Sequence, residues 1–375
     1  MMELSGYRKL FPVTQSAIYL NHAAISPYST RVSDALRQQI TKRTDEPANV
    51  YPIFLEENRR LKENFAAIIN ARPENIAIIP NTSTGLNWLA NGLEWQSGDR
   101  ILLVEREFPS NIYPFLNLIR KGVQIDYVTP KNGGIGPAEI NKKIVKKTKL
   151  LSISYVQFLN GFRIDTLEIG RLCKSRDIIF SVDGIQGVGA VPLDVKDAGI
   201  AFLSNGGHKW LMGPLGCGFM YVSPALMDKL YPVFAGWLSV KNSWDFFDYQ
   251  LEFLDDAARF EPGTQNFLGI AGARAAADLL LEVGIPRIEA HLLDLGNFLT
   301  DAMTDLDFNY TGSSEKQHRA GIYSFGHPRS KEIFDALSAN HIFVSLREGD
   351  IRVSPHFYNT REDLEELVRT IKKAL

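Results

Sequence analysis

Two cysteines, Cys173 and Cys217, are all that the 375 residues contain. They are too few for a disulfide framework and lack the C-x-x-C spacing of a zinc or redox pair, so a reducing, cytoplasmic setting is expected. The seven histidines include no H-x-x-x-H pair, which argues against a catalytic metal. Long apolar runs are also missing. No stretch reaches a membrane span, and Met1 to Pro12 has no apolar core of signal-peptide length, so a soluble protein is expected. Neither charge is in excess: 41 basic side chains face 43 acidic ones, no signature of a nucleic-acid surface, and the lysines of 142–149 read as a solvated helix face. Nucleotide-binding glycine motifs are absent as well. Gly184-Ile185-Gln186-Gly187-Val188-Gly189 does not fit G-x-G-x-x-G, and no G-K-[ST] occurs.

What is present is an ordinary globular composition, 45% hydrophobic and 22% charged, on a chain long enough for about two domains. From about residue 76 to residue 223, short runs rich in β-branched residues alternate with segments of helical period, the pattern of βαβ units and a mostly parallel sheet. Strands are expected at Ile76–Ile79, Arg100–Val104, Gln124–Val128, Leu150–Val156, Ile178–Val182, Ile200–Leu203 and Cys217–Val222. Helices are expected at Leu86–Leu93, Asn111–Arg120 and Thr166–Ser175. After about residue 258 the texture changes to helices at Ile270–Leu281 and Arg287–Asp305, then mixed strands and helices. Pro262 and Gly263 mark the junction. The expected division is therefore an N-terminal segment (1–20), a large domain (21–260) and a smaller α+β domain (261–375).

One lysine sits among glycines, in Ser204-Asn205-Gly206-Gly207-His208-Lys209-Trp210, followed by Gly213-Pro214-Leu215-Gly216-Cys217-Gly218. Glycine permits close backbone approach, which a planar ligand needs more than a surface loop does. Upstream, Ser181-Val182-Asp183-Gly184-Ile185-Gln186-Gly187 puts an acid at the end of a strand, where ligands bind in open α/β sheets. The 26 residues from Asp183 to Lys209 leave room for one crossover and one strand, so neighbouring strand ends can present a carboxylate and an amine to one ligand.

V-D-G-x-Q, then G-H-K-W with G-P-x-G after it, resembles the class V aminotransferases of pyridoxal 5′-phosphate (PLP) fold type I, over about Tyr19 to Thr360. The resemblance implies a large domain with a seven-stranded, mostly parallel sheet and a small C-terminal domain. It implies that Lys209 holds the cofactor as a Schiff base and that Asp183 pairs with its ring nitrogen. Asn81-Thr82-Ser83-Thr84-Gly85 matches the phosphate motif and implicates Thr82 and Ser83. A helix N-terminus suits a dianion there, although plain N-capping explains the same residues. Many relatives carry a serine where this chain has Gly206, so His208 or a neighbouring subunit is expected to share the phosphate. Phe108 matches a ring that stacks on the cofactor. Gln186, and more weakly Gln157, match a residue near its phenolic oxygen.

Glu261-Pro262-Gly263-Thr264-Gln265-Asn266 resembles a loop whose threonine reaches the other subunit's phosphate, which implies a homodimer with shared sites. Arg352, in an R-x-S-x-x-x-Y-N-T pattern, matches the residue that receives the substrate α-carboxylate. Its planar fork suits that task. The details resemble the isopenicillin N epimerase-like and kynureninase-like branches. Cysteine desulfurases need a nucleophilic cysteine on a loop before the carboxylate arginine, and Val344 to Asp350 runs into Ile351-Arg352 without one. The expectation is an amino-acid enzyme of aminotransferase type in which Lys209 moves the Cα proton. Epimerisation and β-elimination remain open at this stage, and a PLP-fold protein without catalysis is the non-enzymatic alternative.

Overall fold

The computed structural model describes residues 3–46, 51–131 and 133–375; Met1 and Met2 of the expected N-terminal segment lie outside. A short strand, β1 (Ile18–Tyr19), precedes two long helices, Thr30–Asp45 and Tyr51–Ile68. Seven strands then form one sheet: β2 (Ile76–Ile79), β3 (Arg100–Val104), β4 (Gln124–Val128), β5 (Thr148–Ser154), β6 (Ile179–Asp183), β7 (Phe202–Gly206) and β8 (Gly218–Val222). Their order is β2-β8-β7-β6-β5-β3-β4. β8 is antiparallel to both of its neighbours and every other pair is parallel. The expected mostly parallel sheet is therefore present, with one reversed strand.

The sheet is covered on both faces, which is why its inner strands read as continuous apolar runs. Ile101 and Leu103 of β3 belong to one apolar layer with Leu86, Leu89 and Phe115. Their alternates Leu102 and Val104 belong to the other, with Leu61, Phe65 and Ile169. Edge strand β4, by contrast, is exposed at Gln124.

Element boundaries differ from expectation in instructive ways. β7 runs on to Gly206 and β6 to Asp183, where Asp183, Ser204 and Asn205 are buried rather than turned to solvent. β5 begins at Thr148 and ends at Ser154, and β8 begins one residue after Cys217. The continuous helix expected over Asn111–Arg120 is broken into a 3-10 turn (Pro109–Asn111), a four-residue helix (Tyr113–Leu116) and another 3-10 segment (Asn117–Lys121). Pro109 and Pro114 remove N–H donors and clash with the preceding turn, so no long helix can propagate through them. The helix expected from Leu86 begins earlier, at Thr82.

Beyond residue 261, helix Phe267–Val283 packs on the two long N-terminal helices, and its Ile270, Ala273 and Leu280 share the large core. The next helix, Ile285–Thr304, leads into a second sheet: β9 (Asn309–Tyr310), β10 (Tyr323–Gly326), β12 (Ser345–Arg347) and β13 (Asp350–Val353), in the order β12-β13-β10-β9 and antiparallel. The intervening β11 (Ile342–Phe343) pairs with β1. Phe325, Ile351 and Val353 build a separate core with Leu364 and Leu367 of the last helix, Arg361–Ala374. Among the described residues no helix is long and apolar enough to cross a membrane.

The N-terminal segment fastens these parts together. Arg8 forms a two-pronged ion pair with Asp363 at 2.7 and 2.8 Å, and Phe11 stacks on Tyr358 at 3.9 Å. Two fully buried histidines complete the joint. His22 bridges the Ser354 carbonyl (2.8 Å) and the Tyr358 hydroxyl (2.9 Å). His356 contacts the Trp210 carbonyl through Nε2 (3.0 Å) and accepts from the Phe357 N–H through Nδ1 (2.8 Å). That pair of partners defines a neutral ring, and burial pushes the His356 pKa down to about 4.

In the unfolded chain the imidazole titrates near 6.5. Between about pH 6.5 and 4 the unfolded state therefore binds the extra proton, and the His356 contribution is lost as pH falls through that window. Denaturation of wild type and His356→Gln from pH 7 to 4 is expected to show wild type losing about 3 kcal/mol relative to the variant. A difference that stays constant with pH would remove His356 from this role.

Candidate active site

Because β2, β3, β5, β6 and β7 run the same way, their carboxyl ends lie on one edge of the sheet, and each is followed by a residue expected in the site. Thr82 and Ser83 follow β2, Phe108 follows β3, Gln157 follows β5, Asp183 ends β6, and His208 and Lys209 follow β7. A cavity of about 430 Å³ opens at this edge, within the usual range for small-molecule sites. Thr82, Ser83, Phe108 and Gln186 line it, as do His208, Lys209, Arg347 and Arg352. A larger cavity, about 560 Å³, lies at the opposite edge, beside the starts of β5 and β6, away from all of them.

Three expected residues are placed differently. Asp183 is 1% exposed and does not open onto the cavity wall. Gln157 lines an adjoining cavity instead. Thr264 lines a third, largely apolar one, with Trp88 and Phe234, so within one chain it does not reach Lys209.

Asn81 caps the helix Thr82–Gly92, its Oδ1 accepting from the Thr84 N–H at 2.9 Å. The helix lies hard against β7: Ser204 Oγ donates to the Thr82 carbonyl at 2.9 Å, and a Cβ on Gly85 would stand 2.2 Å from that Oγ. Ser83 donates to Ser110 Oγ at 2.8 Å. Thr82 Oγ1 is buried with no hydrogen-bond partner, a costly state for a hydroxyl. It stands 3.3 Å from where a Gly206 Cβ would be, beside the place where a serine hydroxyl is missing. His208 is half-buried next to it, and burial lowers its pKa.

Lys209 is 9% exposed. Burial pulls its pKa down to about 8, with Asp183 opposing and Arg352 and Arg347 assisting. Its Nζ lies 5.5 Å from the Phe108 ring centroid, and Phe108 itself rests edge-on against Phe158. Hydrogen bonds hold the lysine's backbone. Ser26 Oγ donates to the Lys209 carbonyl at 2.6 Å, and Trp210 Nε1 donates to Gln186 Oε1 at 2.9 Å. Gln186 in turn donates to the Ala23 carbonyl at 3.0 Å, so one of its two N–H groups is already engaged.

Asp183 accepts the Ile185 N–H at 3.0 Å. Burial raises its pKa to about 7; that N–H and Lys209 pull it down, while Glu107 pushes it further up. Glu107 is a residue that sequence reasoning passed over. It is buried and accepts from the Ser154 N–H (2.8 Å), the Ser154 hydroxyl and Gln157 Nε2 (2.9 Å). It thus fixes Gln157, one strand away from Asp183, since Ser154 is the register partner of Asp183. An acid directly before Phe108 at a strand end was the available signal.

On the far wall, Arg352 is 2% exposed. One Nη donates to the Phe158 carbonyl at 2.7 Å and the other to Ser345 Oγ at 3.4 Å. Its Nε is buried without a partner. Burial, and the neighbouring Arg347, lower its pKa to about 10. A guanidinium held this way is short of an anion.

An α/β sheet with a buried lysine and an acid at adjacent strand ends, a hydroxyl-lined helix start and a facing arginine defines a PLP-type architecture. The model of the family Aminotransferase class-V matches residues 18–367. The chain belongs to this family of PLP-dependent enzymes. It is 28% identical to a probable cysteine desulfurase of Methanothermobacter thermautotrophicus, with 99% of this chain and 98% of that protein covered. The apo structure of a cysteine desulfurase from Thermococcus onnurineus NA1 superposes with a TM-score of 0.91 at 25% identity, covering 100% and 98% of the two chains. The cystine C–S lyase C-DES, at 22% identity, shares the fold. A lysine mutant of it with glycine linked to its PLP cofactor gives a TM-score of 0.90, covering 97% of this chain and 98% of that one. Its complex with cysteine persulfide gives 0.89.

The residues present fit this cofactor. The unpartnered Thr82 hydroxyl suits a phosphate oxygen, and the buried Asp183 carboxyl, in no ion pair among the described residues, suits a protonated ring nitrogen. Thr82→Val is expected to weaken PLP binding about tenfold, the loss of one hydrogen bond to a charged group. Titration of the cofactor-free protein, followed by cofactor absorbance, measures this. Equal affinity in the two proteins would take Thr82 out of the phosphate site.

Proposed function

We propose that this enzyme acts on an α-amino acid, with Arg352 holding the α-carboxylate and Lys209 carrying the Cα proton, and that its reaction is a transamination. The observation that carries this reading is one-sidedness. Among the titratable side chains lining the cavity, Lys209 has a pKa of about 8, near working pH, as a proton carrier requires. Phe108 supplies no acid or base. A single base that takes a proton and returns it on the same side is what transamination needs. Two-base epimerisation would need a second base across the cavity from Lys209; the other titratable base lining it, His208, precedes Lys209 in the chain and stands beside Thr82.

PLP, when bound, supplies the electron sink for the pair left at Cα. The protein's own contributions are positional. Asp183 would keep the ring nitrogen protonated, the Thr82 and Ser83 hydroxyls and the helix start would hold the phosphate with His208 beside them, Phe108 would support the ring, and Gln186 would offer its remaining N–H to the phenolic oxygen. We read Thr264 as acting in the site of a second copy, which makes the enzyme a homodimer, and the setting as cytoplasmic.

The desulfurase names of the relatives raise a second reading. Cys173 and Cys217 are both buried, with thiol pKa values that burial pushes up to about 12, so neither is a ready nucleophile. The turn between β12 and β13 is Glu348-Gly349, without a cysteine. Persulfide formation on the enzyme is therefore unsupported. Elimination of a β-sulfur leaving group, as the name of the C–S lyase describes, needs only the same Lys209.

Amino acids tested with and without a 2-oxo acid acceptor separate the two. Transamination turns over only with the acceptor and produces a new amino acid. Sustained release of ammonia and a sulfur product without acceptor would replace it by elimination. Arg352→Ala is expected to cost about 2 to 5 kcal/mol in kcat/KM for an α-amino acid, the range for truncating one partner of a buried charge pair. Unchanged kcat/KM would place the carboxylate anchor elsewhere.

A further inference from the structure

A second cavity of about 430 Å³ adjoins the first, and Arg347 lines both. Hairpin β12–β13 sets the geometry between them. Arg347 is the register partner of Asp350, and Ser345 that of Arg352. Residues two apart on a strand share a face about 7 Å apart, so Asp350 and Arg352 point the same way, while Ile351 between them is buried in the small core. The opposite wall comes from Glu105 and Arg106 after β3 and Gln157 after β5; Glu348 closes the turn.

Glu105, Arg106, Arg347 and Glu348 are exposed, and Asp350 is half-buried. Among the described residues, Arg106, Arg347, Glu105 and Glu348 take part in no ion pair, and Asp350 accepts a hydrogen bond from Thr311 Oγ1 at 3.2 Å. Two guanidiniums and three carboxylates thus face one chamber. A lone carboxylate entering it would meet three like charges, and a lone ammonium two. A head bearing both signs can turn each end to its opposite.

We infer that the substrate is an α-amino acid whose side chain ends in a second amino-acid head, one ammonium and one carboxylate, received by this chamber while Arg352 holds the first carboxylate. This rests on the functional reading above. A spacer of about three methylenes matches the rise of about 7 Å from Asp350 to Arg352 along β13.

Four probes of matched length test it, by titration of the PLP-loaded protein and the resulting change in cofactor absorbance. Diaminopimelate carries both distal charges, 2-aminopimelate only the carboxylate, L-lysine only the ammonium, and L-norleucine neither. Diaminopimelate is expected to bind about tenfold or more tightly than any of the other three. Arg106→Asn, chosen because Asn tolerates the left-handed backbone of Arg106 (φ 63°), is expected to shrink the diaminopimelate-to-norleucine ratio to within about threefold. Equal affinities, tighter binding of a single-charge probe, a ratio unmoved by Arg106→Asn, or no response to these four alongside a response to L-alanine would each overturn the chamber. Silence toward every α-amino acid would instead overturn the functional reading beneath it.

Discussion

A buried carboxyl group, in no ion pair among the described residues, is the constraint around which this molecule is arranged. Asp183 lies at the end of an inner strand, receives one backbone N–H, and stands near the second buried acid Glu107. Two carboxylates in one low-dielectric region are costly unless something positive joins them. Glu107 has three donors of its own and Asp183 has one, so the unmet demand falls on Asp183. A protonated ring nitrogen would answer it, which is the role proposed for Asp183.

The parallel sheet turns that demand into a site. Consecutive strand ends supply hydroxyls, a ring, a carboxylate and an amine along one edge, and layers on both faces keep those ends rigid. The facing wall of the cavity comes from the other sheet, through Arg352 and Arg347. Its position relative to Lys209 depends on a joint of buried histidines, His22 and His356, and on Arg8 and Phe11 of the N-terminal segment. The chain ends thus hold the two halves of the site together, and the neutrality of the histidines makes that joint sensitive to acid.

The same arrangement narrows the chemistry. With Phe108 on the cavity wall and both cysteines deep in the core, proton movement falls in the proposed reaction to Lys209, and no thiol stands at the cavity to take up sulfur. The chain shares the fold and family of its relatives.

Much of this was legible in the residues. Apolar runs marked the seven strands, the Gly-rich loop marked Lys209, the acid at a strand end marked Asp183, and the R-x-S-x-x-x-Y-N-T pattern marked Arg352, because each reflects local geometry or a motif that the chain carries by itself. Pro114 was visible too, yet its effect on the expected helix depended on counting donors rather than apolar spacing. Other features had no local signature. Glu107 looked like any acid until the fold buried it against Ser154, and Gln186 looked free until Trp210 and Ala23 claimed its amide. Gln157 moved to the neighbouring chamber, and Thr264 to a different cavity. Burial, partner choice and which strand ends share an edge arise between segments far apart in the chain, so only the tertiary structure decides them.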